Sequence, residues 1–253
     1  MESTTLKLAN APIIEAILDI DCAFAQGFDL AAREEQIRAA TKGSYPVFQP
    51  QHFHGVRVEA IGEKSPTVTK SQGLQGFRAL QADQKQLIQY RLEGFSFNRL
   101  APYSSFDDYL PEIEHCWKEF VQIVEPSQVK EIRLRFINRL PLPLEGDKVE
   151  LDDYFVFGPK LADDGRFSFL SFVQQYRTIE IGTDNELNIV LASQPTEAGN
   201  LPVIFDIQVH NRSIIDPSAW QSISSIILSL RELKNSVFQK TLTEKCIALF
   251  QHQ

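Results

Sequence analysis

The chain has 253 residues, of which 43 % are hydrophobic and 23 % are charged, as in ordinary globular proteins. Its net charge of −8 disfavours nucleic acid or an anionic lipid surface as the main partner, because both repel a negative field. The sequence shows no signal-peptide pattern, no apolar run long enough to span a membrane and no paired cysteine spacing, so we expect a cytoplasmic protein.

The first half begins with alternating apolar residues, which predict a strand over 14–22 with one buried face. Asp29 is placed to cap a short helix over 30–40. Three further strands are predicted at 52–61, 76–82 and 86–97. Ser105 and Asp108 then form a capping pair for a long helix, whose apolar stripe runs to Val124 before Pro126 ends it.

The second half opens with a strand over 129–143, in which apolar residues alternate with arginines. A short helical turn follows at 151–157, and three more strands are predicted at 166–181, 186–192 and 202–210. Asp216 and Pro217 are expected to begin a long helix with an apolar stripe from Trp220 to Val237. Thr241 and Glu244 are expected to cap a last helix.

These elements predict an α+β fold, mainly an antiparallel sheet packed by two long amphipathic helices. The residues 1–126 and 127–253 read as two α+β halves that pack as one globular unit. Both halves follow the order strand, helix or turn, three strands, helix, which suggests an internal duplication. Short echoes such as Phe97-Asn98-Arg99-Leu100 and Ile137-Asn138-Arg139-Leu140 also arise readily by chance, so a fold without duplication remains the alternative.

The sequence carries no recognised catalytic, metal or cofactor motif. It has neither a G-x-S-x-G elbow nor a glycine-rich phosphate loop. His52 and His54 lie two residues apart without a third ligand in view, and the acidic pairs suit helix starts and turns. We therefore expect no cofactor and favour a non-enzymatic protein, although an active site assembled from distant residues stays open.

Arginines on the predicted strands are the most suggestive polar feature. They occur at positions 57, 78, 91, 133, 135 and 177, and Arg133 and Arg135 share a face by the period of two. In one interpretation they line a sheet face and hold an anionic ligand. In the other they lie on a solvated face paired with glutamates 59, 131 and 180. The candidate ligand-binding residues are Arg91, Arg133, Arg135, Asn138 and Arg139.

Several segments together resemble a sporadically distributed prokaryotic family of about this length, to which no activity is assigned. The segments are 8–17 (LANAPIIEAI), 95–100 with Pro102-Tyr103, 133–139 (RLRFINR), 153–155 (DYF) and 230–241. Phe136 stands where the family has Tyr, and Phe205-Asp206-Ile207-Gln208 replaces an expected LDID, which weakens a metal role there. The patchy distribution implies an accessory or defence-associated bacterial gene.

Four motif residues are candidates for a functional role on the strength of this resemblance: Asn10, Glu15, Asn98 and Arg99. The structural alternative is that Asn10 shapes the start of the first strand and Glu15 pairs with a strand arginine.

Two hypotheses for function follow. The first is a binding or regulatory protein that acts through a protein partner or as a homo-oligomer. The alternative is a small-molecule sensor that binds an anion on the arginine-bearing sheet face.

Overall fold

A computed structural model describes residues 8–59, 67–146, 148–160 and 170–251, and the side chains of 54–59 and 67–72 are not considered. Its strands are β1 (Ile13–Ala23), β2 (Val47–Glu59), β3 (Thr67–Leu80), β4 (Gln86–Arg91), β5 (Gly94–Leu100), β6 (Gln128–Pro143), β7 (Val173–Ile179), β8 (Asn185–Ser193) and β9 (Asn200–Asn211). The helices are α1 (Glu34–Thr41), α2 (Phe106–Val124), α3 (Trp220–Thr241) and α4 (Glu244–Ala248).

The described strands form one antiparallel sheet in the order β2-β3-β4-β5-β1-β6-β9-β8-β7. The prediction of an α+β fold with a large antiparallel sheet is confirmed. In each half the first strand pairs with the last one, β1 with β5 and β6 with β9, and a helix follows. β1 also pairs with β6, so the sheet is continuous across the boundary at 126/127. That the halves arose by duplication stays a prediction.

The two faces of the sheet differ in polarity because side chains alternate along each strand. On β1, Ala16, Leu18 and Ile20 are buried, while Asp19 and Asp21 lie on the other side. Residues opposite each other across strands share a face. Leu18 therefore lies level with apolar residues of β5 and β6, and the aspartates lie level with polar ones. We call these sides the helical face and the polar face.

Both long helices pack on the helical face. The ring of Phe95 in β5 lies 5.9 Å from that of Trp117 and 5.6 Å from that of Phe120, both in α2. In the second half Phe238 of α3 stacks on Phe205 of β9 with 5.8 Å between ring centroids. Aromatic pairs at these separations add to the free energy gained from apolar burial.

The prediction of a single strand over 86–97 is wrong, since β4 and β5 form a hairpin. The chain turns at Leu92 and Glu93, and Gly94 follows with φ +148°. A Cβ atom at Gly94 would lie 2.0 Å from the carbonyl oxygen of Ile20, so only glycine fits there. The alternation of apolar and polar residues continues through the turn, and this concealed it.

Three helix boundaries also differ from the prediction. Asp216 does not cap α3: its carboxylate accepts from the backbone N–H of Ser218, and the helix begins at Trp220. Thr243, not Thr241, caps α4 by accepting from the N–H of Cys246. The expected helix over 30–40 is a 3-10 turn followed by α1.

Ser105 accepts from the N–H of Asp107 at the start of α2, as its predicted capping role requires. Parts of the predicted strands 52–61 and 166–181 and the pair Asp163-Asp164 lie outside the described residues. No helix among the described residues is long and apolar enough to cross a membrane.

Candidate functional site

The four candidate arginines lie together on the polar face, and each one faces a carboxylate. Arg91 and Arg133 contact the two oxygens of Asp21 at 2.8 and 2.9 Å. Arg135 binds Asp206 through two nitrogens, with Nη2 at 2.6 Å and Nε at 2.9 Å. Arg139 in the same strand forms an ion pair with Glu197.

These pairs leave the polar face with balanced charge. Asp21 and Asp19 keep the pKa of Arg133 above its ordinary value even though burial acts to lower it. The hydrogen bond to Asp206 raises the pKa of Arg135. A guanidinium that is already bonded to a carboxylate offers an incoming anion little free attraction. Anion binding on this face stays a prediction.

The expected glutamate partners are only partly found. Glu131 contacts Arg133 at 3.2 Å and His210 at 2.7 Å. Glu180 instead accepts hydrogen bonds from Thr183 and Asn185. The side chains of Arg57, Glu59 and His54 lie outside the described residues. Within the described ranges no three metal-ligating side chains are grouped to hold an ion.

The motif candidates fall in different places. Glu15 accepts a hydrogen bond from Asn98 at 2.9 Å on the polar face, and its charge also acts on the strand arginine Arg135. The backbone N–H of Asn10 donates to Phe250 near the end of the chain. Arg99 lies on the helical face over the ring of Tyr109, and Asn138 is buried on that face.

Asn138 lines a cavity between the two long helices and the sheet, which we call the α2–α3 cleft. Its volume is about 600 Å³, and it lies between the first turn of α2, the middle of α3 and the helical face of β6. The floor is formed by Phe136 and Asn138, and the residues before β1 close one end. A cleft of this size is in the range of small-molecule sites.

Lys234 on α3 is the most unusual side chain in this cleft. It is only 8 % exposed, and its Nζ atom lies 3.8 Å from the centroid of the Phe136 ring. Among the described residues this ring is its only cation–π partner, and no carboxylate lies within ion-pair distance of Nζ. Buried lysines are almost always paired, so this one requires an explanation.

The sequence places Lys234 in the buried stripe of α3. The buried residues of this helix recur at three or four positions and are Ile223, Ile227, Leu230, Lys234, Phe238 and Thr241. In β6 the buried stripe is Ile132, Leu134, Phe136, Asn138, Leu140 and Leu142. Lys234 therefore interrupts the apolar stripe of α3, and Asn138 interrupts that of β6. Both residues line the same cleft.

Burial and the nearby charge of Arg231 lower the pKa of Lys234 from 10.5 to about 7. The ammonium form is disfavoured where burial removes most of its hydration and a second cation lies one turn away. Lys234 therefore exists near neutral pH as a mixture of ammonium and free amine, unlike an exposed lysine.

Arg231 is held at the mouth of the cleft by an ion pair between its Nη1 and Asp107 of α2. Its buried Nε has no acceptor among the described residues. Arg231 and Lys234, the two cations of α3 that line the cleft, thus share one wall, and of these two only Arg231 is paired with a carboxylate among the described residues.

Family models, curated proteins and solved structures gave no match to this chain.

The segments that carry the sequence resemblance meet at the cleft even though they are far apart in the chain. The lining residues from these segments are Leu8, Ala11, Pro12, Ile13, Tyr103, Phe136, Asn138, Arg231, Lys234, Asn235, Phe238 and Gln239. They come from the opening, second, third and closing segments. This convergence is a property of the fold, since each segment by itself also suits a strand start or a core position.

Sequence reasoning singled out Asn138 as a candidate and included Asn235 only as part of the closing segment, but it did not single out Lys234 or Arg231. A signal for Lys234 was present, because it lies four residues after Leu230 and four before Phe238 on the buried side of α3. A single lysine in an apolar stripe more often extends its ammonium to water, and so the sequence alone does not mark it.

Proposed function

We propose that the protein binds a small organic anion in the α2–α3 cleft and acts as a ligand-binding regulatory module. The observation that carries this proposal is the buried Lys234, which faces the cleft with no carboxylate among the described residues as a partner. An unpaired buried ammonium is costly, and a ligand carboxylate or phosphate would supply the missing counter-charge.

The remaining lining suits a ligand with an apolar body. Phe136, Phe238 and Ile13 provide apolar surface, and the amide of Asn235 can orient polar atoms. The Nδ2 of Asn138 already donates to the carbonyls of Phe136 and Phe205, which leaves its Oδ1 as an acceptor. Mostly apolar walls with a few convergent polar groups are the usual composition of small-molecule sites. The carboxylates of Asp107 and Asp108 also line the cleft and would repel a highly charged anion, so the lining favours a ligand with an apolar body and a single carboxylate placed at Lys234.

The position of the cleft suggests how binding would be transmitted. α2 belongs to the first half of the chain and α3 to the second, and each follows the strand that pairs with the first strand of its half. We propose that the halves are a duplicated unit with α2 and α3 as equivalent helices. A ligand held between them would stabilise one arrangement of the two halves, which is the requirement for a sensor.

Calorimetry with a panel of aromatic and aliphatic carboxylates tests the proposal. Binding should weaken about 10- to 100-fold in Lys234→Met, since a charged contact contributes about 1.5–3 kcal/mol. Lys240→Met is the matched control, because Lys240 is exposed on the same helix and does not line the cleft. Equal affinity in wild type and Lys234→Met would contradict the proposal.

The alternative hypothesis, that the anion binds on the arginine-bearing polar face, predicts the opposite result. If the anion bound there, Arg135→Ala would remove affinity and Lys234→Met would not. In the cleft proposal Arg135→Ala binds as wild type does, because Arg135 lies on the other side of the sheet.

A second candidate function, self-association, is favoured by the edge strand β7. Val173 is 77 % exposed and Ile179 is 57 % exposed, on a strand that pairs only with β8 in the described sheet. Exposed edge strands with apolar side chains are templates for pairing with a second chain. Sedimentation velocity should detect a dimer that Ile179→Lys dissociates, and a monomer at all concentrations would exclude this function.

A further inference from the structure

The amine of Lys234 has an environment that differs from a simple ion-pair site. Its side chain is buried against Phe136 and lines an open cleft, so a small molecule has access to Nζ. Because no described carboxylate or backbone carbonyl holds the amine, its lone pair is not sequestered when the proton leaves. A primary amine in these surroundings can act as a nucleophile toward a carbonyl carbon.

We propose that Lys234 captures the carbonyl group of a small oxo-acid covalently, as an imine in the α2–α3 cleft. This inference rests on the proposed function and names the ligand class, namely carboxylates that also carry an aldehyde or ketone. The ligand is held reversibly, because water can hydrolyse the imine.

The reaction needs no other reagent. The Nζ lone pair attacks the carbonyl carbon, the carbonyl π electrons move to oxygen, and a proton passes from nitrogen to that oxygen to give a carbinolamine. The hydroxyl group then leaves with a proton as water while the C=N bond forms. Amine and carbonyl are thus converted to imine and water, and no atom is oxidised or reduced.

The charges around the cleft suit both the free amine and the adduct. The lowered pKa of Lys234 makes a large share of the amine neutral near pH 7, as nucleophilic attack requires. The groups that face it are Arg231 on its own helix, Asp107 and Asp108 at the start of α2, and Tyr103 before that helix. Of these charges only Arg231 acts appreciably on Lys234.

A protonated imine restores the positive charge that the free amine lacks. The carboxylate of the same ligand then lies next to this charge, so the adduct contains its own ion pair. The apolar rings of Phe136 and Phe238 limit the access of water to the C=N bond. An exposed lysine has neither feature, and its imine would hydrolyse quickly.

Reductive trapping tests the inference on the full chain. The protein is incubated at pH 7 with limiting glyoxylate and sodium cyanoborohydride, and carboxymethylated lysines are mapped by peptide mass spectrometry. Glyoxylate is small enough to enter the cleft whatever the natural ligand is. We expect Lys234 to be modified at least about tenfold more than the exposed Lys240, because a far larger fraction of its amine is neutral.

Two comparisons separate the inference from the proposed function. Glycolate has a carboxylate like that of glyoxylate but no aldehyde. In the wild type, glyoxylate should therefore raise the thermal unfolding temperature more than glycolate does. In Lys234→Met the two ligands should have the same effect. If carboxylates bind in a Lys234-dependent way and no adduct forms at Lys234, the inference is overturned and the proposed function stands. Modification spread evenly over the lysines also overturns the inference. If neither adduct nor carboxylate binding is detected, both fail.

Discussion

Replacing Lys234 by methionine should make the protein more stable at neutral pH. Methionine has a similar length and no charge, so it keeps the packing against Phe136 without the cost of burying an ammonium. The pKa of Lys234 falls from 10.5 to about 7 on folding, and at about 1.4 kcal/mol per pKa unit this corresponds to roughly 4–5 kcal/mol below pH 7. The loss of the contact with the ring offsets about 1 kcal/mol of this gain.

The gain should shrink as the pH rises. Between pH 7 and pH 10.5 the unfolded chain keeps the proton on Lys234 while the folded chain has lost it. The unfolded chain then binds more protons, so the stability of the wild type increases with pH in this window. Integration over these pKa values shows that Lys234 destabilises the folded wild type by about 4 kcal/mol at pH 7 and by about 2 kcal/mol at pH 9.

Urea-induced unfolding of wild type, Lys234→Met and Lys240→Met at pH 7 and pH 9 measures this effect. Arg231, Asp107 and Asp108, the other charged groups around the cleft, are present in every variant, so their titration largely cancels in the differences. Lys240→Met, on the exposed side of the same helix, should show little gain in stability. The reasoning is refuted if Lys234→Met is no more stable than wild type at pH 7, or if its advantage is the same at both pH values.

Two further substitutions test the fold. Asp206→Asn should lower the free energy of unfolding by about 1–2 kcal/mol in urea titration, because it removes the charge that Arg135 binds through two nitrogens. The side chain of Arg135 is 42 % exposed, and solvent screening therefore keeps the loss small. An unchanged unfolding midpoint would show that the pair is fully screened. Gly94→Ala should lower stability by at least about 2 kcal/mol in thermal unfolding, because its Cβ would collide with the carbonyl oxygen of Ile20, whereas Gly43→Ala has open space and is the control.

Local patterns were sufficient for many elements. The alternation in β1 and β6 predicts both strands and their buried faces, and the stripe of α2 with its Ser105 cap predicts that helix. The β4–β5 hairpin was missed because alternation continues through Leu92 and Glu93. The start of α3 was misplaced because the sequence Asp216-Pro217 suits a turn as well as it suits a helix start. In the structure it forms a turn before the helix.

The candidate site required tertiary information. The strand arginines were recognised, but their pairing was not, because Asp19 and Asp21 read only as the outward positions of β1 until β6 is placed beside it. Lys234 and Asn138 are about a hundred positions apart, and each is a single polar residue in an apolar stripe. Their importance follows from meeting in one cleft, which local periodicity cannot reveal.

The pairing of β1 with β6 has a consequence for a chain cut in two. In the order of strands across the sheet, the five strands of the first half end with β1. The four strands of the second half begin with β6, which pairs with β1. A fragment ending at 126 would therefore expose the backbone N–H and C=O groups of β1, and its counterpart would expose those of β6. Each fragment would be the complement that the other lacks, so we expect separately expressed halves to reassemble when mixed, in the manner of a split reporter.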